Sequence, residues 1–130
     1  MKALLPPGWP RPKGYANGIS ATGRLIVTAG VVGWNAEEQF ESDDLAAQFR
    51  QALANILAIL AEDGAGPEHI VRMTCYVTDM PAYRAALAEI GAAWRALIGR
   101  NFPAMALVGV TALVEPRAKV EIEATAVVPE

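Results

Sequence analysis

The chain has 130 residues, of which 53% are hydrophobic and 19% charged, and its formal net charge is −3. A chain of this size and composition folds by burying about two thirds of its unfolded surface, so we expect one domain over residues 1–130 and no disorder. The acidic balance and the scattered Lys and Arg make a nucleic-acid partner unlikely, because such affinity comes from clustered basic side chains.

The cysteine and histidine content limits the available chemistry further. Cys75 is the only cysteine, which excludes an internal disulfide and indicates a reducing, cytoplasmic setting. No apolar run reaches the roughly 18 residues of a membrane span, and the start, MKALLPPGWP, is broken by proline too early for a secretory signal. His69 is the only histidine and has no second ligand at metal-binding spacing. A metal site is therefore not expected.

The first half of the chain predicts two strands and one helix. In chain order we expect a proline-rich extended arm over residues 1–12 and a short strand over 15–20. A longer strand over 24–30 and a loop over 31–42 follow. The helix begins after Ser42, the expected N-cap, and ends at the GAGP of residues 64–67. Its apolar stripe consists of Leu45, Phe49, Leu53, Ile56, Leu57 and Leu60.

The second half predicts a strand, a helix and two strands. The strand covers residues 70–78, with Val71, Met73, Cys75 and Val77 on one face. The helix runs from Asp79 to Gly99, with an apolar stripe of Tyr83, Leu87, Ile90, Trp94 and Leu97. The last strands cover residues 105–113 and 118–128.

This β-β-α-β-α-β-β order predicts an α+β fold, a mixed sheet with two helices packed on one face. The chain offers no further helix for the other face of the sheet. An uncovered sheet face predicts self-association through that face, and closed cyclic symmetry is the usual form of such assemblies.

The last strand carries two glutamates on one face. The period of two in KVEIEATAV places Val120 and Ile122 on one side and Glu121 and Glu123 on the other. If the helices cover the aliphatic side, the carboxylates face the subunit interface, where one of them can exchange a proton with water. The alternative is a solvated edge strand with two surface glutamates, and Glu123 suits a structural role better than that of a second acid.

Segments along the whole chain resemble the Rid (YjgF/RidA) family. They are GYANG at 14–18, LIVTAG at 25–30, LAAQFRQALANI at 45–56, IVRMTCYVTDM at 70–80, NFPA at 101–104 and KVEIEATAV at 119–127. The last segment and the Phe-Pro-Ala lead-in are the most specific. The resemblance implies a chorismate mutase-like fold and a homotrimer with a ligand pocket in each cleft between subunits.

The resemblance also implies a chemistry without a cofactor. Active Rid proteins hydrolyse reactive imines and enamines, such as 2-iminopropanoate, to the 2-keto acid and ammonia. By this resemblance Glu121 positions the attacking water, Tyr15 lines the pocket, and main chain near Gly30 and Leu107 completes it. Trp34 follows the Gly30 strand and is a further candidate for the pocket rim, with packing against the proline-rich arm as the alternative.

Position 105 departs from the family pattern. The resemblance implies an arginine directly after Pro-Ala, gripping the substrate carboxylate, but this chain has Met105 there. Methionine offers neither charge nor donor, and each lost charge-assisted hydrogen bond costs about 1.5–3 kcal/mol. Met105 is then either a changed specificity residue or simple core filler. The cations that could replace the arginine are Arg11, Lys13, Arg24, Arg95 and Arg100.

Three functions fit these residues. The first is a deaminase of an imine or enamine with altered recognition, such as a substrate like 2-aminomuconate. The second is a noncatalytic trimer that binds a small molecule, and the third, the weakest, is an endoribonuclease or translation inhibitor, the older labels of some family members. Glu121 favours catalysis, because a plain binding pocket has no need of a buried acid.

Overall fold

The computed structural model describes residues 1–130 and has one five-stranded mixed sheet with three α-helices packed on one face. Its elements are β1 (Lys2–Ala3), β2 (Ile19–Ser20), β3 (Arg24–Val27), β4 (Val31–Val32), α1 (Leu45–Ala61), β5 (Ile70–Val77), α2 (Met80–Ala85), α3 (Leu87–Leu97), β6 (Ala104–Gly109) and β7 (Val120–Val128). This architecture confirms the predicted α+β class. No helix is both long and apolar enough to cross a bilayer.

The sheet order is β3-β7-β5-β6, and β4 also pairs with β7. Strands β5 and β6 are parallel, while β7 is antiparallel to each of its neighbours. Strand β7 therefore lies between the β3–β4 side of the sheet and the β5–β6 side. The predicted short strand is shorter than expected and pairs with the start of the arm, as a separate β1–β2 ribbon.

The predicted strand over residues 24–30 is interrupted. It ends at Val27, and pairing with β7 resumes at Val31, inside the segment that was expected to be a loop. Thr28 bridges the interruption: its N–H donates to the carbonyl of Ala124, and its Oγ1 accepts from the Ala124 N–H at 3.0 Å. Gly30 lies in the interruption and faces β7.

The helix boundaries differ from the expectation at two places. Asp44 caps α1 by accepting a hydrogen bond from the Ala47 N–H, whereas Ser42 accepts one from the Asp44 N–H and is not the cap. The second predicted helix is divided into α2 and α3 at Ala86, whose backbone leaves the helical conformation at φ −102° and ψ 12°. The apolar stripes of both predicted helices still face the core. Leu87 is the exception, because it is 54% exposed.

The core lies between the helices and one face of the sheet. On β7 this face carries Val120, Ile122, Ala124 and Ala126, all buried as predicted. At the start of β5, Ile70 is buried in place of the predicted Val71, because the register against β7 shifts between Ile70 and Arg72. Met73, Cys75 and Val77 are buried as predicted. No helix covers the other face, on which Leu25 and Val27 are each 65% exposed.

Candidate functional site

The two glutamates of β7 lie on the uncovered face but have different partners. Glu123 accepts a hydrogen bond from the hydroxyl of Tyr76 on β5, at 2.7 Å from Oε1. Glu121 is paired with Tyr76 across the strands, yet its carboxylate accepts no hydrogen bond and joins no ion pair within the chain. Glu123 is thus held by the protein, and Glu121 is free to accept from water or a ligand.

Tyr76 serves as the donor in this cluster. The hydrogen bond to Glu123, partial burial and the negative charges of Glu123 and Glu121 raise the pKa of Tyr76, while Arg72 lowers it. The phenol therefore stays protonated and keeps donating over the pH range in which the protein would work. Sequence analysis missed Tyr76, although its alternation with buried Cys75 places it on the face of the glutamates.

Gly30 lies directly against the Glu121 carboxylate. A Cβ built on Gly30 would lie 2.5 Å from Oε2 of Glu121 and 2.8 Å from its Cδ, closer than atoms can approach. Any larger residue at position 30 would displace the carboxylate, so the approach requires glycine. The structure brings these two predicted site residues together.

The other predicted site residues lie beside the edge strand β6. Tyr15, Met105 and Leu107 line a cavity of about 590 Å³ between β6 and the helices α2 and α3. We call this space the edge cavity. Of its thirteen lining residues, five are aromatic: Tyr15, Phe49, Tyr83, Trp94 and Phe102.

Met105 and Leu107 point to the helix-covered face of the sheet. Met105 is in register with buried Met73, and Leu107 with buried Cys75, across the parallel β5–β6 pair. Both side chains pack against the hydrophobic core as well as lining the cavity. Met105 therefore packs as core filler and also borders the edge cavity, and its role in specificity stays a prediction.

The structure separates the five candidate cations. Lys13 and Arg95 line the edge cavity with Met105, whereas Arg11 and Arg100 line a neighbouring depression under the N-terminal arm. Arg24 is paired with Asp63 and its backbone carbonyl, so its charge is already engaged.

Trp34 lies apart from the edge cavity within this chain. Its ring packs against Phe40 at 5.7 Å between centroids, and its carbonyl accepts a hydrogen bond from Asn55 Nδ2 at 2.7 Å. Trp34 follows β4, in which Val32 is paired with Glu121. It therefore lies on the Glu121 side of the sheet order and not beside Met105 on β6.

The predicted site residues thus form two groups on opposite faces of the sheet. Tyr15, Met105 and Leu107 lie on the helix side of β6, and Gly30 and Glu121 lie on the uncovered side of β7. Strand β5 lies between β6 and β7, which separates the backbones by roughly 10 Å. One copy of the chain does not enclose a single site from both groups.

Comparison with known proteins identifies the class of the protein. The profile of the family described as Endoribonuclease L-PSP matches residues 10–128. The fold also matches a Rid-family structure over nearly its whole length. The chain therefore belongs to the endoribonuclease L-PSP family, the family of the Rid and YjgF proteins.

Three relatives illustrate this relationship. The chain is 34% identical to 2-iminobutanoate/2-iminopropanoate deaminase of Escherichia coli strain K12 over 116 residues, covering 87% of this chain and 86% of that protein. It is 35% identical to YyfB of Yersinia pestis, a Rid protein described as of unknown function, with a TM-score of 0.84 and 98% of each chain covered. Rv2704 of Mycobacterium tuberculosis is 38% identical, with a TM-score of 0.67 and coverage of 89% of this chain and 88% of that one.

Proposed function

We propose that this protein is a hydrolytic deaminase of a reactive imine or enamine metabolite, with Glu121 as the group that positions and deprotonates water. The observation that carries the proposal is the state of the Glu121 carboxylate: it has no hydrogen-bond partner in the chain and lies against Gly30, while Glu123 is bonded to Tyr76. The E. coli relative, named as an iminobutanoate and iminopropanoate deaminase, supports the reaction class.

The chemistry is balanced without a cofactor. Glu121 accepts a proton as the water oxygen bonds to the imine carbon, and the C=N electron pair moves to nitrogen, which takes this proton from Glu121 to give a neutral amino alcohol. Glu121 then accepts the hydroxyl proton and delivers it to nitrogen, so that the C–N bond breaks, ammonia leaves and the oxygen becomes the carbonyl. The products are a ketone and ammonia, and the carboxylate returns to its starting state.

The complete site in this proposal is built by more than one subunit of a homotrimer. Leu25 and Val27 expose apolar surface beside the carboxylates, on a sheet face that has no helix over it. Burial of such a face by another copy of the chain is favourable, because it removes apolar area from water. The Tyr15, Met105 and Leu107 group of one copy then meets the Gly30 and Glu121 group of another, and Trp34 contributes to the rim.

Met105 implies a substrate other than a small 2-imino acid bound through an arginine. The side chain presents a thioether to the edge cavity where the family pattern has a cation, so carboxylate binding at this point is lost. The substrate in this proposal is a longer or more apolar imine or enamine; a 2-aminomuconate-like compound is an example of a longer one, whose carboxylates would be bound away from Met105.

The test is a comparison of imines generated in situ by an amino-acid oxidase and followed by semicarbazone trapping. We expect wild-type protein to accelerate loss of imines with large apolar side chains more than loss of 2-iminopropanoate, and Glu121→Gln to give the no-enzyme rate. If wild type and Glu121→Gln both give the no-enzyme rate with every imine, the deaminase proposal is wrong.

A noncatalytic binding protein is the second candidate. The large aromatic edge cavity favours it, since such a cavity binds ligands without any help from Glu121. Ligand binding that is unchanged in Glu121→Gln, together with no turnover of any imine, is the result that this candidate predicts.

A further inference from the structure

The edge cavity has the lining of a site for an aromatic or similarly bulky group. Five of the chain's nine aromatic residues line it: Tyr15, Phe49, Tyr83, Trp94 and Phe102. Its volume of about 590 Å³ is in the range of sites that enclose whole small molecules. A three-carbon acid would leave most of this space to water, whereas a ring can stack on or meet the edges of the aromatic side chains.

The cavity also carries an uncompensated positive charge. Lys13 and Arg95 are the only charged residues that line it, and no Asp or Glu is among the lining residues. Neither cation takes part in an ion pair within the chain. A carboxylate at this point gains charge-assisted hydrogen bonds without displacing an existing partner.

Gly91 explains how Arg95 reaches this position. The two residues are one turn apart on α3, and Nη1 of Arg95 lies 3.3 Å from the place that a Gly91 Cβ would occupy. The guanidinium therefore folds back along the helix over the glycine, toward the preceding turn. A side chain at position 91 would crowd the guanidinium in this position.

One residue of the lining carries an unsatisfied donor. Trp94 is 8% exposed, and its indole Nε1 is the one buried side-chain nitrogen or oxygen in the structure without a hydrogen-bond partner. This nitrogen is itself closed to solvent, so its signal reports a ligand that packs near the Trp94 ring and does not require a direct hydrogen bond to the ligand.

From these observations we infer that the edge cavity binds a carboxylate ligand with an aromatic or similarly bulky apolar body, whose carboxylate is held by Arg95 with Lys13 and whose body lies among the aromatic residues. This inference deepens the proposed function, on which it rests for treating the ligand as substrate. In this chain the anion site is then on α3 and the N-terminal arm, and Met105 belongs to the apolar wall.

The test uses 3-phenylpropanoate, its neutral amide 3-phenylpropanamide, and propanoate, each titrated into the whole protein by calorimetry. We expect 3-phenylpropanoate to bind at least fivefold more tightly than the amide, which lacks the charge, and more tightly than propanoate, which lacks the ring. Equal affinity for acid and amide overturns the inference, as does no binding of 3-phenylpropanoate at millimolar concentration.

Three variants separate the charge from the apolar body. Arg95→Gln should weaken acid binding about five- to tenfold, an effect limited by the exposure of Arg95, and leave amide binding unchanged. Phe102→Ala should weaken both ligands to a similar degree. Arg84→Gln is the matched control, because Arg84 is an exposed arginine of α2 that does not line the cavity, and it should change neither affinity. Equal effects of Arg95→Gln and Arg84→Gln on acid binding would overturn the assignment.

The indole N–H signals give a readout independent of affinity. The chain has three tryptophans, and Trp94→Phe identifies the Trp94 signal by its loss from a ¹H–¹⁵N correlation spectrum. We expect 3-phenylpropanoate to shift the Trp94 indole signal and to leave those of Trp9 and Trp34 in place. A shift of all three signals, or of none on saturation, contradicts the location.

These measurements distinguish this inference from the deaminase proposal. The probes contain no C=N bond, so their binding needs no turnover and is measured independently of imine hydrolysis. Binding without imine hydrolysis would refute the proposed reaction and keep the site, whereas hydrolysis without binding would refute this site and keep the reaction.

Discussion

The two faces of the central sheet offer different chemistry. The uncovered face has carboxylates, the hydroxyl of Tyr76 and exposed aliphatic side chains, whereas the helix-covered face has an aromatic cavity whose only charges are positive. Under the proposed reaction, the group that activates water therefore lies on one side of the sheet, and the space and positive charge that hold the substrate lie on the other. A second copy of the chain is the simplest way to bring them together.

The largest expected effect distinguishes the two carboxylates of the uncovered face. Glu121→Gln should lower imine turnover by a factor of about 10² to 10⁴, the usual contribution of a positioned general base. Glu123→Gln keeps an acceptor for Tyr76 and should leave turnover near that of wild type. Steady-state rates of the two variants on the same imine check this, and equal losses would contradict the assignment of Glu121.

The next effect concerns the assembly that joins the faces. Val27→Asp places a charge in the aliphatic patch of the uncovered face and should dissociate the proposed trimer, because a buried unpaired carboxylate is costly. The matched control is Val114→Asp, at a loop valine that is 94% exposed and should tolerate the charge. Sedimentation equilibrium gives both masses. A Val27→Asp protein with the wild-type mass would show that this face is not the interface.

A smaller effect, on the free energy of unfolding, is expected at Gln48 in the helix layer. Gln48 on α1 is 1% exposed and bonds three backbone groups: the carbonyls of Ser42 and Arg117 and the N–H of Lys119. Gln48→Leu leaves these groups unsatisfied and should lower the free energy of unfolding by about 2–4 kcal/mol. Urea denaturation measures it, with Gln51→Leu as the less buried comparison on the same helix. An unchanged urea midpoint for Gln48→Leu would contradict this role.

The last effect is confined to alkaline pH and concerns Cys75, which is buried on the covered face. Burial raises the pKa of the Cys75 thiol from 9.0 to about 12. Since the folded pKa lies above the unfolded one, the stabilisation is complete below pH 9 and is lost as the pH rises toward 12.

This linkage predicts a slope in the alkaline range. The free energy of unfolding should fall by up to about 1.4 kcal/mol per pH unit between pH 9 and about 12, and less steeply in Cys75→Ala. Urea denaturation at pH 8 and pH 11 measures the slope. Tyr83 contributes in the same direction, because burial raises its pKa to about 12, so Cys75→Ala should keep part of the slope. Identical slopes in the two proteins would refute the contribution of Cys75.

Periodicity predicted the faces of the fold but not its interruptions. The alternation of β7 and the stripe of α1 follow from burial alone, and both are as expected. The break after Val27 depends on Thr28 bonding to Ala124, almost a hundred residues away, and the register shift at Ile70 depends on β7. Such contacts are tertiary, so no local pattern signals them.

The candidate site was predictable to a similar extent. The resemblance assigned Glu121 and Gly30 to one pocket, and the two residues lie in contact, but the edge cavity was not foreseen, because Trp94 and Ile90 fit a core stripe equally well. The sequence also could not choose among five cations. That choice depends on how α3 and the N-terminal arm meet β6, and the fold places Lys13 and Arg95 at the cavity.

The most direct test of the account is whether Met105 and Glu121 act on one substrate although they face opposite ways in a single chain. The measurement is turnover of 2-iminopropanoate by wild type, Met105→Arg, and Met105→Arg with Glu121→Gln. We predict that arginine at position 105 raises turnover of this small imino acid at least tenfold and that Glu121→Gln abolishes the gain. If the oligomeric Met105→Arg protein gains no activity, or keeps the gain without Glu121, the two groups do not share a site and the central claim is wrong.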